Sequence, residues 1–432
     1  IKTVLDLTEE EIANTDFGVY TADNFFDDMY RVTSYRTDAD MVETLVTRSL
    51  SALQWMKQKG VKLQPSYGRQ AFKVDGKFKF WGGLCVETWG GGHGLVETQL
   101  EIAEKLGIDV LFEARAQSLL YDDDKVYGVK VKQAGKVRDL TAKSVVLAAG
   151  GFQANAEMRT RYLGPGWELA KVRGTRYNTG DGIRMALEIG AMPYGNWSGC
   201  HAVGWDYNAP EYGDLVVLDN FQKHSYPLGI MVNAEGKRFV DEAADFRNYT
   251  YAKYGRVILN QPGQFAWQIF DSKVLDKLRG EYRIKQVTKV TANTIEELAS
   301  KLEGVNAKQC VETIKEYNNA VMTDVPFNPT VLDGRGTRGL PVPKSNWANL
   351  LDEPPYEAYQ VTCGITFTFG GLRIIPDSGQ VLDTDMKPIP GLYAAGEMVG
   401  GLFYFNYPGG TGLMAGAVFG RMAGASAGEA AR

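Results

Sequence analysis

The sequence predicts an α/β protein in which one domain is interrupted by another, and three observations carry that prediction. The chain has 432 residues, more than a single hydrophobic core usually serves, so two domains are expected. Short β-rich runs ending in glycine turns and followed by helical patterns occupy 109–191 and return at 370–432. Between them lies aromatic-rich, loop-rich sequence of another style. The expected division is 1–196 and 363–432 for the two parts of one domain and 197–362 for the insert.

Asp38 to Lys59 carries Met41, Leu45, Val46, Leu50, Leu53 and Met56 at helical spacing. An aspartate at its start and Gly60 past its end mark a capped amphipathic helix. A second helix is expected over Leu95–Leu106, stopped by Gly107. From Asp109 the period becomes that of strands: one strand, a small meander broken at Asp122–Lys125 and Ala134–Lys136, then a buried strand Ser144–Ala148. That strand runs into Gly150–Gly151, and such a junction is where an α/β sheet opens to a ligand. "NTGDGIRMALEIGA", 178–191, repeats the device with a Gly-Asp-Gly turn before a helix. The middle offers helices near Ile295–Leu302 and Ala307–Val321 and irregular sequence over Val331–Pro355. "GLYAAGEM" supplies another strand and turn, and glycine-rich "FNYPGGTGLMAGAVFGRMAG" opens the last helix.

Composition is that of an ordinary globular protein, 44% hydrophobic and 23% charged. A net charge of −5 predicts no general affinity for nucleic acid or an anionic membrane, so an anionic substrate would need locally placed cations. Cys85, Cys200, Cys310 and Cys363 are scattered, with no short metal pair. Neither an iron–sulfur nor a zinc site is expected, and a reducing, cytoplasmic setting suits the pattern. No apolar run reaches the roughly 18 residues of a membrane span, and no secretory signal is evident. The opening "IKTVLDLTEEEIANTDF" reads as the middle of a domain, and residues upstream of Ile1 are expected.

Four glycine-centred turns are candidates to converge: Gly150–Gly151, Gly180–Gly182, Gly396–Glu397 and Gly409–Gly412. Glu397 follows a strand, where a carboxylate can accept hydrogen bonds from sugar-like hydroxyls. Thr411, Gly412 and Leu413 would present N–H groups at a helix start, suited to a carbonyl that gains negative charge when a ring system is reduced.

The order "VVLAAGGF", "TGDGIRMALEIGA", "GKRFVDE", "GGLRI", "GLYAAGEMVGGLF" and "GGTGLMAGAVFGRMAG" resembles the flavoprotein superfamily of soluble fumarate reductases, urocanate reductases and 3-ketosteroid dehydrogenases. Within it, "YGRQAFKVDGKFKFWGG", "FQKHSYPLGIMVN" and "DFRNYTYAKYGR" are similar to the FAD-dependent tricarballylate dehydrogenases. The resemblance spans nearly the whole chain. It implies an FAD-binding Rossmann-like domain with an inserted α+β capping domain. It places FAD contacts at Ala116, Ala149, Gly150, Gly151, Asp181, Gly396, Glu397, Thr411, Gly412 and Leu413. The superfamily's opening strand, GxGxxG turn and distant acidic residue, which hold the ADP half of FAD, have no counterpart in these residues. The expectation is that this first βαβ unit is missing from the sequence; the alternative is loss of tight FAD binding.

The resemblance also assigns substrate roles. His201 in "WSGCHAVGW" matches the histidine that holds a dicarboxylate in the fumarate reductases. Their proton-donating arginine lies four residues past "RFVNE", and Arg247 lies five past "RFVDE", with an ion pair to Asp241, Glu242 or Asp245 as the purely structural alternative. Arginine is a poor acid in water, so the role calls for a dry site and a relay, for which Tyr249, Tyr251 and Tyr254 are candidates. Two fumarate ligands are replaced, one by Thr366 or Phe367 and one by Tyr407, the latter in a tyrosine-proline-glycine loop with Gly409 and Gly410 that resembles the ketosteroid enzymes. A steroid wants an apolar cavity, whereas Arg69, Lys73, Lys77, Lys79, Lys223 and His224 offer cations, of which His224 and Lys223 are the expected substrate ligands. Tricarballylate, oxidised to cis-aconitate, is therefore the expected substrate, with Arg247, His201 and Tyr407 as the catalytic set. The expected partner is a separate electron acceptor, in the family usually a membrane-associated iron–sulfur protein. The alternatives are a ketosteroid-, urocanate- or fumarate-type oxidoreductase, or a flavin-free binding protein.

Overall fold

The computed structural model describes residue 1 and residues 3–432. After a short helix at Glu9–Asn14 come α1 (Ala22–Val32) and α2 (Ala39–Lys59). The Asp38 carboxylate caps α2 by accepting from the Asp40 and Met41 N–H groups, and Gly60 ends it at φ 111°. Met41, Leu45 and Val46 are buried as expected, but Leu50 is exposed. Five residues past Leu45 it has turned about 140° round the helix, away from the buried stripe. Helix α3 (Gly91–Lys105) begins ahead of the expected Leu95, at a left-handed Gly90.

Strands β1 (Ala114–Asp122), β2 (Lys125–Gln133) and β3 (Lys136–Thr141) form the expected antiparallel meander. The strand expected just before it is not formed: Val110, Leu111 and Phe112 are exposed and unpaired among the described residues. A strand exists only where a neighbour accepts and donates its backbone hydrogen bonds, and none is supplied there. Strand β4 (Val145–Leu147) is likewise less buried than expected, with Val146 38% exposed, because it is paired along one edge alone among the described residues.

Strand β5 (Lys171–Val172), helix α4 (Asp181–Glu188), β6 (Cys200–Asp206), β7 (Ile230–Val232) and helix α5 (Tyr251–Leu259) lead into the middle of the chain. There follow β8 (Ala266–Phe270), β9 (Lys289–Ala292), α6 (Ile295–Lys301), α7 (Ala307–Ala320) and, after the expected irregular stretch, β10 (Tyr356–Thr368). Strands β11 (Gln380–Leu382) and β12 (Pro388–Ala394) and the closing helix α8 (Thr411–Ala430) complete the order.

Strand β10 is the spine. It pairs parallel with β5 and antiparallel with β6, β8 and β9, while β7 continues the sheet beyond β8. It runs unbroken through position 362, so residues of the insert and of both flanks share one sheet. Strand β12 pairs in parallel with β4, and α8 packs on α2 and β12. One apolar core runs through α2, α4, β6, α5, β10 and α8; a second, formed by residues such as Trp267, Ile269, Leu298 and Ile314, lies wholly within 197–362.

Helix α5 lies directly on β6. A Cβ at Gly255 would stand 2.4 Å from both the carbonyl carbon of Ala202 and the amide nitrogen of Val203, so backbone meets backbone. Gly255→Ala is expected to cost about 1–3 kcal/mol by overpacking, read as a lowered denaturant midpoint. A wild-type midpoint would show that the helix can move outward freely.

Candidate active site

Two adjoining features make the site, an open glycine-lined trough and a buried polar pocket. The trough lies where β4, α4, the turn after β12 and the start of α8 meet. Gly151 is fixed by proximity: a Cβ there would come 2.2 Å from Glu397 Oε1 and Thr368 Oγ1. Gly410, at φ 83°, starts α8 without any side-chain cap, which leaves the first-turn N–H groups of Gly412 and Leu413 for a ligand oxygen. Gly180 starts α4 in the same way, and the adjacent Asp181 carboxylate is held by Arg115 at 2.9 Å. Ala149 is exposed, Ala116, Gly150 and Gly396 are partly so, and the Leu413 side chain is 71% exposed. Glu397 accepts from the Thr368 N–H at 2.8 Å and from Gln153 Nε2 at 3.1 Å. Burial pushes its carboxyl up to about 7, against the lowering effect of the Thr368 and Gly151 N–H groups.

The pocket is assembled around Tyr251, the first residue of α5. The His201 ring lies 4.9 Å from the Tyr251 ring, 4.8 Å from Tyr407 and 5.2 Å from Phe367, its cross-strand neighbour on β10. The His224 ring lies 4.9 Å from Tyr251. All four imidazole nitrogens are buried without a hydrogen-bond partner. Burial holds both rings well below the usual histidine range, with the Arg173 charge adding to it at His201 and the Arg247 charge at His224. Both are therefore neutral. The Tyr251 and Tyr407 hydroxyls hydrogen-bond to each other.

Arg247 sits just before α5 and is 8% exposed. Its Nη2 donates to the Arg69 carbonyl at 3.0 Å and to Gln70 Oε1, and its guanidinium lies 5.5 Å from the Tyr251 ring. The expected ion-pair alternatives are occupied elsewhere: Glu242 holds Arg238 at 2.6 Å, Asp245 holds Arg31 at 2.6 Å, and Asp241 accepts from Ser345. Burial first, and then the Arg279 charge, push Arg247 down to about 9.

Other expectations need correction. Lys223 is buried, but its ammonium faces Asp206 at 3.4 Å and is bonded by the carbonyls of Asn220, Phe221, Gln222 and Glu281, so no donor is left for substrate. Lys73 and Lys77 are exposed, and Arg69 pairs with Asp219 at 3.1 Å. Of the three relay tyrosines, Tyr249 donates to Asp28 at 2.7 Å and Tyr254 to the Asp241 carbonyl, leaving Tyr251 alone against the pocket. Gly409 lies beside the Arg247 turn, its N–H donating to the Asn248 carbonyl at 2.8 Å, while Gly410 faces Leu84. Thr366 accepts from Arg173 Nη1 at 3.2 Å.

Arg173 and Arg279 are the cations that sequence reasoning missed. Arg173 is held by Asp219 at 2.6 Å and reaches Gln222 Oε1 at 3.3 Å. Arg279 lies in the charge-rich "DKLRGEYR", which carries no motif. Only the folding of the loop after β8 against Ser225 draws it inward.

Comparison with known proteins gives the class to which this arrangement belongs. Residues 11–413 match the family model described as FAD binding domain, and the chain belongs to that family, whose cofactor is FAD. A probable fumarate reductase of Shewanella frigidimarina is 32% identical over 413 residues, covering 93% of this chain and 63% of that protein. The open conformation of a flavocytochrome c3 fumarate reductase superposes with a TM-score of 0.72 at 28% identity, covering 96% of this chain and 68% of that one. The 3-ketosteroid delta1-dehydrogenase of Sterolibacterium denitrificans shares the fold, with a TM-score of 0.69 at 21% identity over 96% of this chain and 89% of that one. The chain spans less than two thirds of the length of the curated relatives it matches first, 63% and 40%.

Because Glu397 holds its proton more tightly when folded than its usual 4.5, its contribution to stability is full below pH 4.5 and is lost as pH rises towards about 7. Thermal unfolding of the protein without added flavin should therefore weaken over that window, and Glu397→Gln should flatten the decline. An unchanged pH profile in the variant would show that the carboxyl titrates normally.

Proposed function

We propose that the protein is a FAD-dependent oxidoreductase acting on a carbon–carbon bond beside the carboxylates of a small polyanion, with tricarballylate to cis-aconitate the reaction that fits best. The observation that carries this reading is Arg247, a buried guanidinium with no carboxylate within ion-pair distance among the described residues, set against two neutral histidines with free nitrogens. A buried charge is tolerated when a partner completes it, and an anionic substrate is the partner this arrangement lacks.

FAD in the trough would supply a ring that exchanges hydride with the substrate's β carbon. The residues of the chain do the rest. In the neutral fraction that its lowered pKa of about 9 enlarges, Arg247 takes the proton from the carbon α to a carboxylate and becomes the guanidinium cation, with Gln70 Oε1 and the Arg69 carbonyl fixing Nη2. His201, neutral, donates one N–H to the carboxylate oxygen on which enolate charge grows. Tyr407, Tyr251 and Phe367 wall the pocket against water. The electrons leave to a separate acceptor, a membrane-associated iron–sulfur protein being the candidate the resemblance suggests. The Tyr251–Tyr407 hydroxyl pair favours one second reading, in which it polarises the carbonyl of a ketosteroid-like enone.

Arg247→Ala should lower turnover by about 10²–10⁴-fold while flavin absorbance is retained. A near-native rate would remove Arg247 from the chemistry. Tricarballylate should bleach the bound flavin of the wild type, and bleaching by a 3-ketosteroid instead would favour the second reading.

A further inference from the structure

The pocket holds more unpartnered donors than one carboxylate can use. Apart from His201, the buried side-chain atoms without a hydrogen-bond partner include both nitrogens of His224 and Nε and Nη1 of Arg279. Arg279 Nε lies 2.9 Å from Glu281 Oε1, close enough for attraction, yet the N–H is out of line and makes no hydrogen bond. Glu281 thus balances the charge and anchors the side chain without consuming the donors. The backbone pins the same group in place: the Arg279 N–H donates to Ser225 Oγ at 3.1 Å, and the Ser225 N–H donates to the Tyr282 hydroxyl oxygen at 2.8 Å. Ser225 is the chain neighbour of His224, so Arg279 and His224 belong to one corner. The Arg279 charge adds to the lowering at His224 and Arg247, which marks the three side chains as neighbours.

Donors buried and left free are costly, and a guanidinium edge next to an imidazole is a shape that suits a carboxylate. His201 and His224 contact the same Tyr251 ring, so both corners lie within reach of one small molecule. Arg173 is less suited to this role, since each of its three nitrogens is already bonded, to Asp219, Thr366 and Gln222.

We infer that Arg279 and His224 form a second carboxylate subsite, beside the Arg247–His201 subsite, which selects substrates bearing at least two carboxylates. This rests on the anionic-substrate reading above and goes beyond it by naming the residues that count carboxylates. Arg279 binds substrate remote from the reacting carbons.

Calorimetric titration of the purified protein with tricarballylate, succinate and propionate tests it. The wild type should bind the tricarboxylate most tightly and the monocarboxylate most weakly. Arg279→Gln should weaken tricarballylate by about tenfold or more and leave propionate within about twofold, since propionate has no second carboxylate to lose. Arg279→Lys should recover part of the loss. His224→Phe, which keeps the ring against Tyr251, should show the same selective weakening and does not disturb the Arg279–Glu281 pair. Equal weakening of all three acids, or none, overturns the subsite while leaving the anionic-substrate reading intact. A wild type that binds none of the three overturns both.

Discussion

The site depends on one close approach, that of α5 to β6 at Gly255. A helix normally stands off from a sheet by the thickness of its side chains. Here the missing side chain lets the helix backbone settle on the Ala202–Val203 peptide. The consequence is felt one turn earlier, where Tyr251 comes against His201, and just before the helix, where Arg247 is carried under the Tyr251 ring. Strand β10 fixes the other wall, because the same sheet that seats β6 also presents Thr366 and Phe367. Packing and chemistry are thus one arrangement: a helix displaced outward would separate the arginine, tyrosine and histidine together.

The electrostatics follow from that geometry. Arg173, Arg279 and Arg238 each have a carboxylate beside them, Asp219, Glu281 and Glu242 respectively. Arg247 is held instead by neutral acceptors, which orient it without cancelling its charge. The histidines are kept neutral by the same burial and by the same positive field, so they donate and accept hydrogen bonds without adding charge of their own. A dry pocket with fixed donors and one uncompensated cation is prepared for negative charge before any ligand arrives.

The trough is built on the opposite principle. Its contacts are backbone N–H groups, small residues and one carboxylate, and its floor is partly open, with Ala149 and the Leu413 side chain exposed and β4 paired along one edge alone among the described residues. Glycine at 151 and 410 serves approach and backbone conformation, and Glu397 is anchored by Thr368 and Gln153, with its raised pKa the cost of that burial.

The sequence by itself determined the parts that depend on local chemistry. The cap and stop of α2, the meander, the glycine turns and the order of motifs that marks an FAD-binding chain were all legible because each rests on neighbours a few residues apart. It also pointed to His201 and, one residue beyond the offset that the resemblance gives, to Arg247, and the fold brings both against the Tyr251 ring. It misled where burial depends on a partner distant in the chain. Val110–Phe112 has strand composition but nothing to pair with among the described residues, and Lys223 looked like a free cation until Asp206 and four carbonyls closed around it. Arg173 and Arg279 belong to no motif that the sequence reading used, and only the fold turns them inward. Periodicity and spacing report which residues share an element. Which charges lose water together is decided by three-dimensional packing, because desolvation depends on every side chain that closes the pocket.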